Sequence, residues 1–489
     1  MKPVSAPPAP VETVASEDAE VAAYFDEFAA VDDRWARRNR GYHEQIELVY
    51  RFLVPPGSTV LEIGCGGGDL LAALRPSDGL GVDVSARMVE LARSRHPGLE
   101  FVQASGERLD AGRTFDYVVL SDLVPYAHDL VALFETLRRH SHPRTRVIVN
   151  SYSQVWRPLI RVAELLRLKA RKPVRNWVTP HDLVNVLGLA GFEPVTGTRR
   201  ILLPKRVPLL GTVMNGFVAN LWPFNHLCLT NWIVARPLPA PESELTVSVV
   251  CPCRNEAGNV RAAIERLPEM GRATELVFVE GGSIDDTRGE IERQIAAHPE
   301  HDVSLVVQRG RGKGDAVREG FAAAKHEVLM ILDGDLSVAP EDLPKFYRVL
   351  QDGRAELVNG SRLVYDLESG SMRFLNLLGN KLFSALFRLI VGQQMKDTLC
   401  GTKVLHRDDY ARIAAGRAYF GDFDPFGDFD LLLGAGRLAL RIADLPVRYH
   451  ARTYGQTNIS RFHHGLLLLR MTAFAFWKFR VGIFQRRAG

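Results

Sequence analysis

The residues best suited to chemistry in this chain are carboxylates and glycines set at the ends of apolar runs. Asp333 and Asp335 follow the run VLMIL in LDGDLS. Two carboxylates at i and i+2 in such a loop bind a divalent cation through oxygen, and the cation can then bridge a diphosphate. A lone pair of this kind is weak evidence, because exposed turns often produce it. Here it follows Pro252, Asn255 and Glu256 in CPCRNEAGN, then Gly282, Ser283, Asp285 and Thr287 in EGGSIDDT, and Lys313 in GRGKGDA. A second group lies nearer the N-terminus. In Glu62-x-Gly64-x-Gly66-x-Gly68 the glycines let a turn after a strand pass close to a ligand, at a helix start with free N–H groups. Glu62 suits a ligand ammonium or an ordered water, whereas a pyrophosphate would be repelled. Asp83, closing the next strand in GVDVS, can accept both hydroxyls of a ribose.

The elements that must position these residues alternate along the chain. After helical patterns over residues 21–52, short β-branched runs such as STVLEIG, GLGVDVS and FDYVVLSD alternate with DLLAALR, ARMVELARSR and DLVALFETLRRH. That alternation predicts a parallel, doubly wound sheet. TPHDLVNVLGLAGF has a Thr cap and a Gly stop and reads as a further helix, and LCLTNWIVARP as a closing strand. PLPAPESE, rich in Pro and acids, is the clearest linker. Beyond it LTVSVVCP, TELVFVEGG, VSLVVQ and EVLMILDGD alternate again with helical runs. The two halves share no repeat, so they are a fusion and not a duplication.

Length and composition set the frame. A chain of 489 residues with 46% hydrophobic and 24% charged residues is globular and too long for one core. The net charge is only +4, but residues 445–489 carry eight Lys/Arg and no acid. A basic, aromatic-rich tail suits an anionic membrane surface better than nucleic acid, for which no module is present. Five scattered cysteines without a CxxC pair argue against a disulfide framework or zinc site and for a reducing compartment. The first 20 residues lack a signal-peptide core and are expected to be a disordered leader. No stretch reaches the ~18 uninterrupted apolar residues of a spanning helix. The expected location is cytoplasmic, peripheral on the inner face of the membrane.

The first group of residues resembles class I S-adenosylmethionine-dependent methyltransferases, over residues 24–237. The resemblance implies that Glu62, Gly64, Gly66 and Gly68 form the cosubstrate turn, with the methionine portion along the first three, and that Asp83 meets the ribose. Val84 and Met88 would flank the adenine. Where such families often carry an acid after the third strand, VQASGERL offers Ser105, whose hydroxyl can still hydrogen-bond. Ser121, with Asp122, would lie where cofactor and acceptor meet. Methyl transfer can proceed by orientation with or without a base. His128, Tyr126 and His43 are the candidates for one.

The second group resembles inverting family-2 glycosyltransferases of the GT-A fold. NGSR, GNKLFSALFRLIVGQQMKDTLCGTKVLHR and FGDFDLLL narrow this to the polyprenyl-phosphate sugar transferases, such as dolichol-phosphate mannose synthases. The resemblance implies Pro252, Asn255, Glu256 and Asp285 around the base and ribose, Lys313 near the nucleotide, and Mg²⁺ or Mn²⁺ on Asp333 and Asp335. Arg362 would be a further substrate contact. The usual run of two acids before Gly-Ser is Glu280-Gly281 here, which leaves the choice of nucleotide base open. The helix at 374–391 would lie at the membrane surface, and Asp397, Asp428 and Asp430 near the acceptor. For a hydroxyl acceptor Asp430 or Asp428 is the expected general base. For a lipid phosphate no base is needed, and Arg452, Tyr454, Asn458 and Arg461 in RTYGQTNISRF would clamp the phosphate.

The expectation is therefore an α/β chain of two parts, a doubly wound Rossmann-like methyltransferase sheet and a GT-A domain with terminal helices. The divisions are 1–20 leader, 21–237, 238–244 linker, 245–460, and 461–489 as a basic amphipathic helix suited to a membrane interface or a dimer contact. The expected partners are a nucleotide-sugar donor, a lipid-linked or cell-envelope glycan acceptor and a membrane surface, with no nucleic acid. Three alternatives stay open at this level. The second half could be a sugar nucleotidyltransferase, one half could be a non-catalytic binding module, or the first could act on RNA.

Overall fold

The computed structural model describes residues 18–32, 34, 37, 39–166, 176, 178–205, 207, 209–362, 374–419, 428–450, 454 and 461–484. Within these, the side chains of 163, 374–381, 428 and 461–466 are outside the description. The chain divides into two compact units, 1–238 with 480–489, and 239–479.

In the first unit β1 (Thr59–Ile63), β2 (Asp78–Asp83), β3 (Glu100–Gln103), β4 (Phe115–Ser121), β5 (Ser141–Tyr152), β6 (Phe192–Arg200) and β7 (Thr230–Pro237) form one sheet, ordered β3-β2-β1-β4-β5-β7-β6. β1 to β5 are parallel, and β7 runs antiparallel to both β5 and β6. The helices are α1 (Ala19–Ala29), α2 (Arg40–Leu53), α3 (Asp69–Leu74), α4 (Ala86–Arg95), α5 (Leu130–Arg139), α6 (Arg157–Leu165), α7 (Pro180–Leu189) and α8 (Leu210–Gly216). Central strands covered on both faces read as continuous apolar runs. Leu61, Ile63, Val118, Leu120, Val147 and Val149 supply this core. The Thr cap of α7 is a full capping box, in which Thr179 and Asp182 satisfy each other's backbone N–H groups. Strand β6 was not predicted. Its sequence, FEPVTGTRR, buries only Phe192, Val195 and Arg200, because it is an edge strand paired on one side.

The second unit holds β8 (Thr246–Cys253), β9 (Ala273–Glu280), β10 (Asp302–Val307), β11 (Val328–Ile331), β12 (Leu357–Ser361), β13 (Lys403–His406) and β14 (Ile442–Pro446), ordered β10-β9-β8-β11-β13-β12-β14. β8 to β11 are parallel to one another, and β13 is antiparallel to its neighbours β11 and β12. The helices are α9 (Val260–Glu265), α10 (Thr287–Ala297), α11 (Gly312–Ala323), α12 (Leu343–Gln351), α13 (Phe374–Val391), α14 (Arg407–Ala415), α15 (Asp428–Arg437) and α16 (Arg461–Phe476). Cys251 and Cys253 pack in the core of this sheet, and all five cysteines are free and buried. α13 buries Phe383, Phe387 and Ile390, with Phe387 edge-on to Phe429 at 4.8 Å, while Leu382 stays exposed. Among the described residues no helix is long and apolar enough to cross a membrane.

Candidate active sites

A cavity of about 740 Å³ opens at the carboxyl ends of β1, β2 and β4. Glu62, Gly64, Gly66, Asp83, Val84, Met88, Ser105 and Ser121 all line it. Gly68 does not; it caps α3 with a φ of +78° and lies against the Phe101 ring. The turn is fixed by its own backbone, since the N–H groups of Gly64 and Cys65 both donate to the Val82 carbonyl at 2.7 and 3.1 Å. Gly64 and Gly66 take φ of +73° and +51°, which a side chain would strain. Nothing lies within 4 Å of the place where a Gly66 Cβ would project, so the turn leaves open space there.

The two acids of this site differ in their partners. Asp83 accepts from the Gly66 N–H at 2.9 Å and the Ser85 N–H at 3.0 Å. Burial raises its pKa, with the backbone donors opposing. Glu62 is also buried, yet its Oε2 accepts no hydrogen bond. Burial holds that carboxyl well above the usual carboxylate range. An orphaned buried oxygen in a cavity wall is costly unless a ligand completes it, and an ammonium is the natural partner.

On the far side of the cavity lies a network the sequence did not reveal. Asp122 sits at a φ of +53°, unusual for a residue with a side chain. Its Oδ2 accepts from the Tyr42 hydroxyl at 2.8 Å and its Oδ1 from Asn150 Nδ2 at 2.7 Å. The Tyr50 hydroxyl donates to Asn150 Oδ1 at 2.7 Å, and the Tyr42 ring stacks on Tyr152. Burial, then the Asp122 charge, holds the Tyr42 and Tyr152 hydroxyls above their ordinary range. Of the candidate bases, Tyr126 lines the cavity, but burial pushes its pKa well up and keeps it protonated. His43 lines the exposed rim. His128 is exposed, absent from the lining, and its backbone N–H is tied to Glu107 Oε1 at 2.7 Å.

In the second unit two turns at the carboxyl ends of β8 and β9 are laced together. Pro252 precedes the first turn, in which Asn255 takes a φ of +59°. The Asn255 N–H donates to Ser283 Oγ at 3.0 Å, and its Oδ1 accepts from the Ile284 N–H at 2.8 Å. The Glu256 N–H donates to Thr287 Oγ1 at 2.9 Å, and its Oε2 accepts from Asn259 Nδ2 at 2.7 Å. Asp285 accepts from the N–H groups of Thr287 and Ala257, from the Thr287 hydroxyl, and from the Tyr454 hydroxyl at 3.3 Å. Burial opposes its anion, but these donors win and hold its pKa below the ordinary value. Tyr454, expected beside an acceptor phosphate, thus packs on Gly258 and reaches Asp285. Gly281, where the resemblance leads one to expect a second acid, faces the Gln308 side chain.

Lys313 Nζ lies 2.5 Å from Asp333 Oδ1, and both press against Gly401, where even a methyl group would collide with them. Burial works against the Asp333 anion, but Lys313, Lys403 and Arg362 together hold it below the usual carboxylate range. Lys403, wholly buried and donating to the Cys400 carbonyl, was missed; its only sequence signal is its place after Cys-Gly-Thr. Asp335 Oδ1 accepts from the Ser337 N–H at 3.0 Å. Asp333 and Asp335 form an oxygen donor set that suits Mg²⁺ or Mn²⁺, since one is held ionised and both follow one strand.

The other expected acids have partners of their own. Asp397, fully buried, takes a bidentate pair from Arg362, Nε at 2.7 Å and Nη2 at 2.9 Å, plus the N–H groups of Arg362 and Leu399. Asp430 is 2.7 Å from Arg417 Nε. The Asp428 and Arg461 side chains, and Arg452 and Asn458 entirely, lie outside the described residues. Among those described, Glu275, Asp302 and His326 also cluster, at the opposite ends of the strands. Lys325 Nζ stands 3.5 Å from both carboxylates there.

Two α/β transferase folds, each with its acids at the carboxyl ends of parallel strands, are thus joined in one chain. A methyltransferase domain model matches residues 35–196, and the model of glycosyl transferase family 2 matches residues 248–413. The chain is 30% identical to a dolichyl-phosphate hexose transferase of Haloferax volcanii, over 42% of this chain and 82% of that protein. It is 36% identical over 111 residues to the dolichol-phosphate mannosyltransferase of Saccharomyces cerevisiae, 22% of this chain and 41% of the yeast enzyme, so it spans less than half of the latter. A SAM-dependent methyltransferase of Thermotoga maritima, described as a possible histamine N-methyltransferase, is 21% identical with a TM-score of 0.36, covering 44% of this chain and 99% of its own. The chain belongs to glycosyl transferase family 2 and carries a methyltransferase domain ahead of it.

The Arg362–Asp397 pair gives a direct check on this geometry. Asp397→Asn leaves a buried guanidinium without its counter-charge, so it should destabilise the second unit by about 3–5 kcal/mol. Denaturant unfolding of the full chain measures it; a loss within about 1 kcal/mol would show that the pair is solvated.

Proposed function

We propose that the second unit transfers a sugar, with inversion, from a nucleoside diphosphate donor to a polyprenyl phosphate or lipid-linked glycan. The first unit methylates an acceptor of the same glycan-building route from S-adenosylmethionine. The parts correspond to residues 21–237 and 245–460, with the enzyme working from the cytoplasmic side, peripheral to the membrane. The observation that carries the sugar-transfer reading is the Lys313–Asp333 contact against Gly401, with Asp335 two residues on. The relatives whose names specify dolichol or dolichyl phosphate support the class of acceptor.

Mg²⁺ or Mn²⁺ would be held by Asp333 and Asp335, and supplies charge neutralisation for the departing diphosphate. Lys313 would offer its charge to the phosphates, while Glu256 and Asp285 would hold the nucleoside end. Inversion is a single in-line displacement in which the acceptor oxygen attacks the anomeric carbon as the diphosphate leaves. A phosphate acceptor is already an anion, so no carboxylate base is required. The commitment of Asp430 to Arg417 favours that acceptor over a neutral hydroxyl.

In the first unit S-adenosylmethionine would be held by Glu62 at its ammonium, Asp83 at its ribose, and Val84 and Met88 at its adenine, and it supplies an electrophilic methyl group. Asp122, oriented by Tyr42 and Asn150, is the group placed to take a proton from the acceptor. Asp122→Asn should lower methyl transfer by about 10²–10⁴-fold with cosubstrate affinity kept. Equal activity in the variant would remove Asp122 from this role.

The Glu62 carboxyl gives this binding a pH dependence. Its pKa is raised in the free protein, so at low pH it is protonated and cannot pair with the ammonium. Affinity should rise with pH until the raised pKa is passed and then level, and Glu62→Gln should flatten the profile. Calorimetric titration across pH reads this, and a flat wild-type profile would contradict it.

For the sugar half, Asp335→Ala should abolish sugar transfer and leave S-adenosylmethionine binding intact, and chelation should act like the mutation. Incubation with labelled S-adenosylmethionine, a panel of nucleotide sugars and membrane lipid extract tests the whole. Release of pyrophosphate instead of a nucleoside diphosphate would favour a nucleotidyltransferase and overturn the assignment.

A further inference from the structure

A broad exposed apolar surface borders the mouth of the first unit's cavity. Two segments build it. The first is α6, which follows β5; the second is residues 209–229, which precede β7. In the sheet Tyr152 pairs with Thr230, so both segments emerge at one end of neighbouring strands. They are joined there, with the Trp156 indole donating to the Leu227 carbonyl at 2.8 Å and the Ser153 N–H to Leu229 at 2.8 Å. Ile160 of α6 and Leu229 line the cavity itself. Around them Leu159 and Leu165 on α6, Leu166 just after it, and Leu209, Phe217 and Trp222 on the second segment, are each half exposed or more. Soluble surfaces scatter such residues singly, and a contiguous group marks a docking face.

Charge selects the occupant. On α6 Arg157 and Arg161 are exposed beside one acid, Glu164, the sequence from 167 to 176 adds five Lys/Arg and no acid, and residues 209–229 carry neither Lys/Arg nor acid. An exposed Leu, Phe and Trp surface without acids on 209–229, and with Arg157 and Arg161 on α6, fits a lipid interface. The apolar groups enter the acyl boundary there, and the cations reach back to anionic headgroups. We propose that the methyltransferase unit seats on an anionic bilayer surface through α6 and residues 209–229. Its cavity then opens at the lipid face, and its methyl acceptor is a lipid-borne molecule. This second clause rests on the lipid-linked acceptor proposed above; the docking surface does not. In the transfer, an acceptor oxygen or nitrogen bonds to the methyl carbon and the carbon–sulfur pair stays on sulfur. The acceptor proton passes to Asp122.

The test uses the full chain with phosphatidylcholine vesicles, with and without phosphatidylglycerol, sedimented at rising salt. The protein should sediment with the anionic vesicles and be released by salt. Leu159→Glu with Leu165→Glu, and separately Leu209→Glu with Trp222→Glu, should each lower vesicle partition by about tenfold or more. None of these residues lines the cavity, so S-adenosylmethionine affinity should be unchanged and reports that each variant is folded. Undiminished binding by both variants overturns the proposal. So does binding lost solely through Leu469→Glu with Trp477→Glu near the chain's end, or a dimer that the first substitutions dissolve without any vesicle binding. Methyl label from S-adenosylmethionine recovered in extracted lipid supports the acceptor class, and label confined to water-soluble products overturns it. Vesicle partition needs no turnover, so a failure of sugar transfer leaves this result readable on its own.

Discussion

Both sites depend on one topological constraint, the point in each sheet where strand order reverses. Right-handed crossovers carry helices to opposite faces on either side of that point and leave a crevice at the carboxyl ends of the strands. In the first unit the reversal falls between β1 and β4, and in the second between β8 and β11. Glu62 and Ser121 therefore reach one cavity from strands that are neighbours in space and far apart in sequence. The turn after β11 meets the β8 turn for the same reason, with Gly334 against Pro252 and Glu256. Without parallel pairing across the reversal, no local motif would bring these acids together.

Given that crevice, the two units treat buried charge in opposite ways. The first keeps Glu62 in its cavity wall with an unsatisfied oxygen, a costly arrangement that a cationic ligand relieves. The second surrounds Asp333 with Lys313, Lys403 and Arg362, so its carboxylate stays ionised before any cation arrives. An ammonium arriving at the first site must displace the proton that burial tends to keep on Glu62, so binding there is coupled to proton release. A site handling diphosphate and metal is better served by an acid whose charge is already fixed. Gly401 makes the second arrangement possible, since its missing side chain lets Lys313 and Asp333 close against the backbone.

The sequence made legible whatever was local in spacing. The glycine turn, Asp83, the Asp333–Asp335 pair and the Thr179 cap were readable because each lies within a strand end and the turn that follows it. Strand β6 escaped because an edge strand lacks the apolar run that marks a central one. The Tyr42–Asp122–Asn150 network escaped because its members come from α2, the β4 end and β5, with no shared spacing. Asp397 and Asp430 read as available acids, and each proved to hold an arginine across a distance the sequence does not encode. Acids are visible in a sequence, whereas their partners are fixed by packing.

The lipid-borne acceptor proposed above would give the fusion a physical rationale. Two enzymes in one chain gain little if their common substrate diffuses freely, because the product of one leaves faster than the other can capture it. Confinement to a membrane changes that balance, since a lipid-borne acceptor stays in the plane and a tethered partner sees it at raised effective concentration. The apolar surface proposed on α6 and residues 209–229, with Arg157 and Arg161 on α6, would give the methyltransferase unit a hold on that plane next to its cavity.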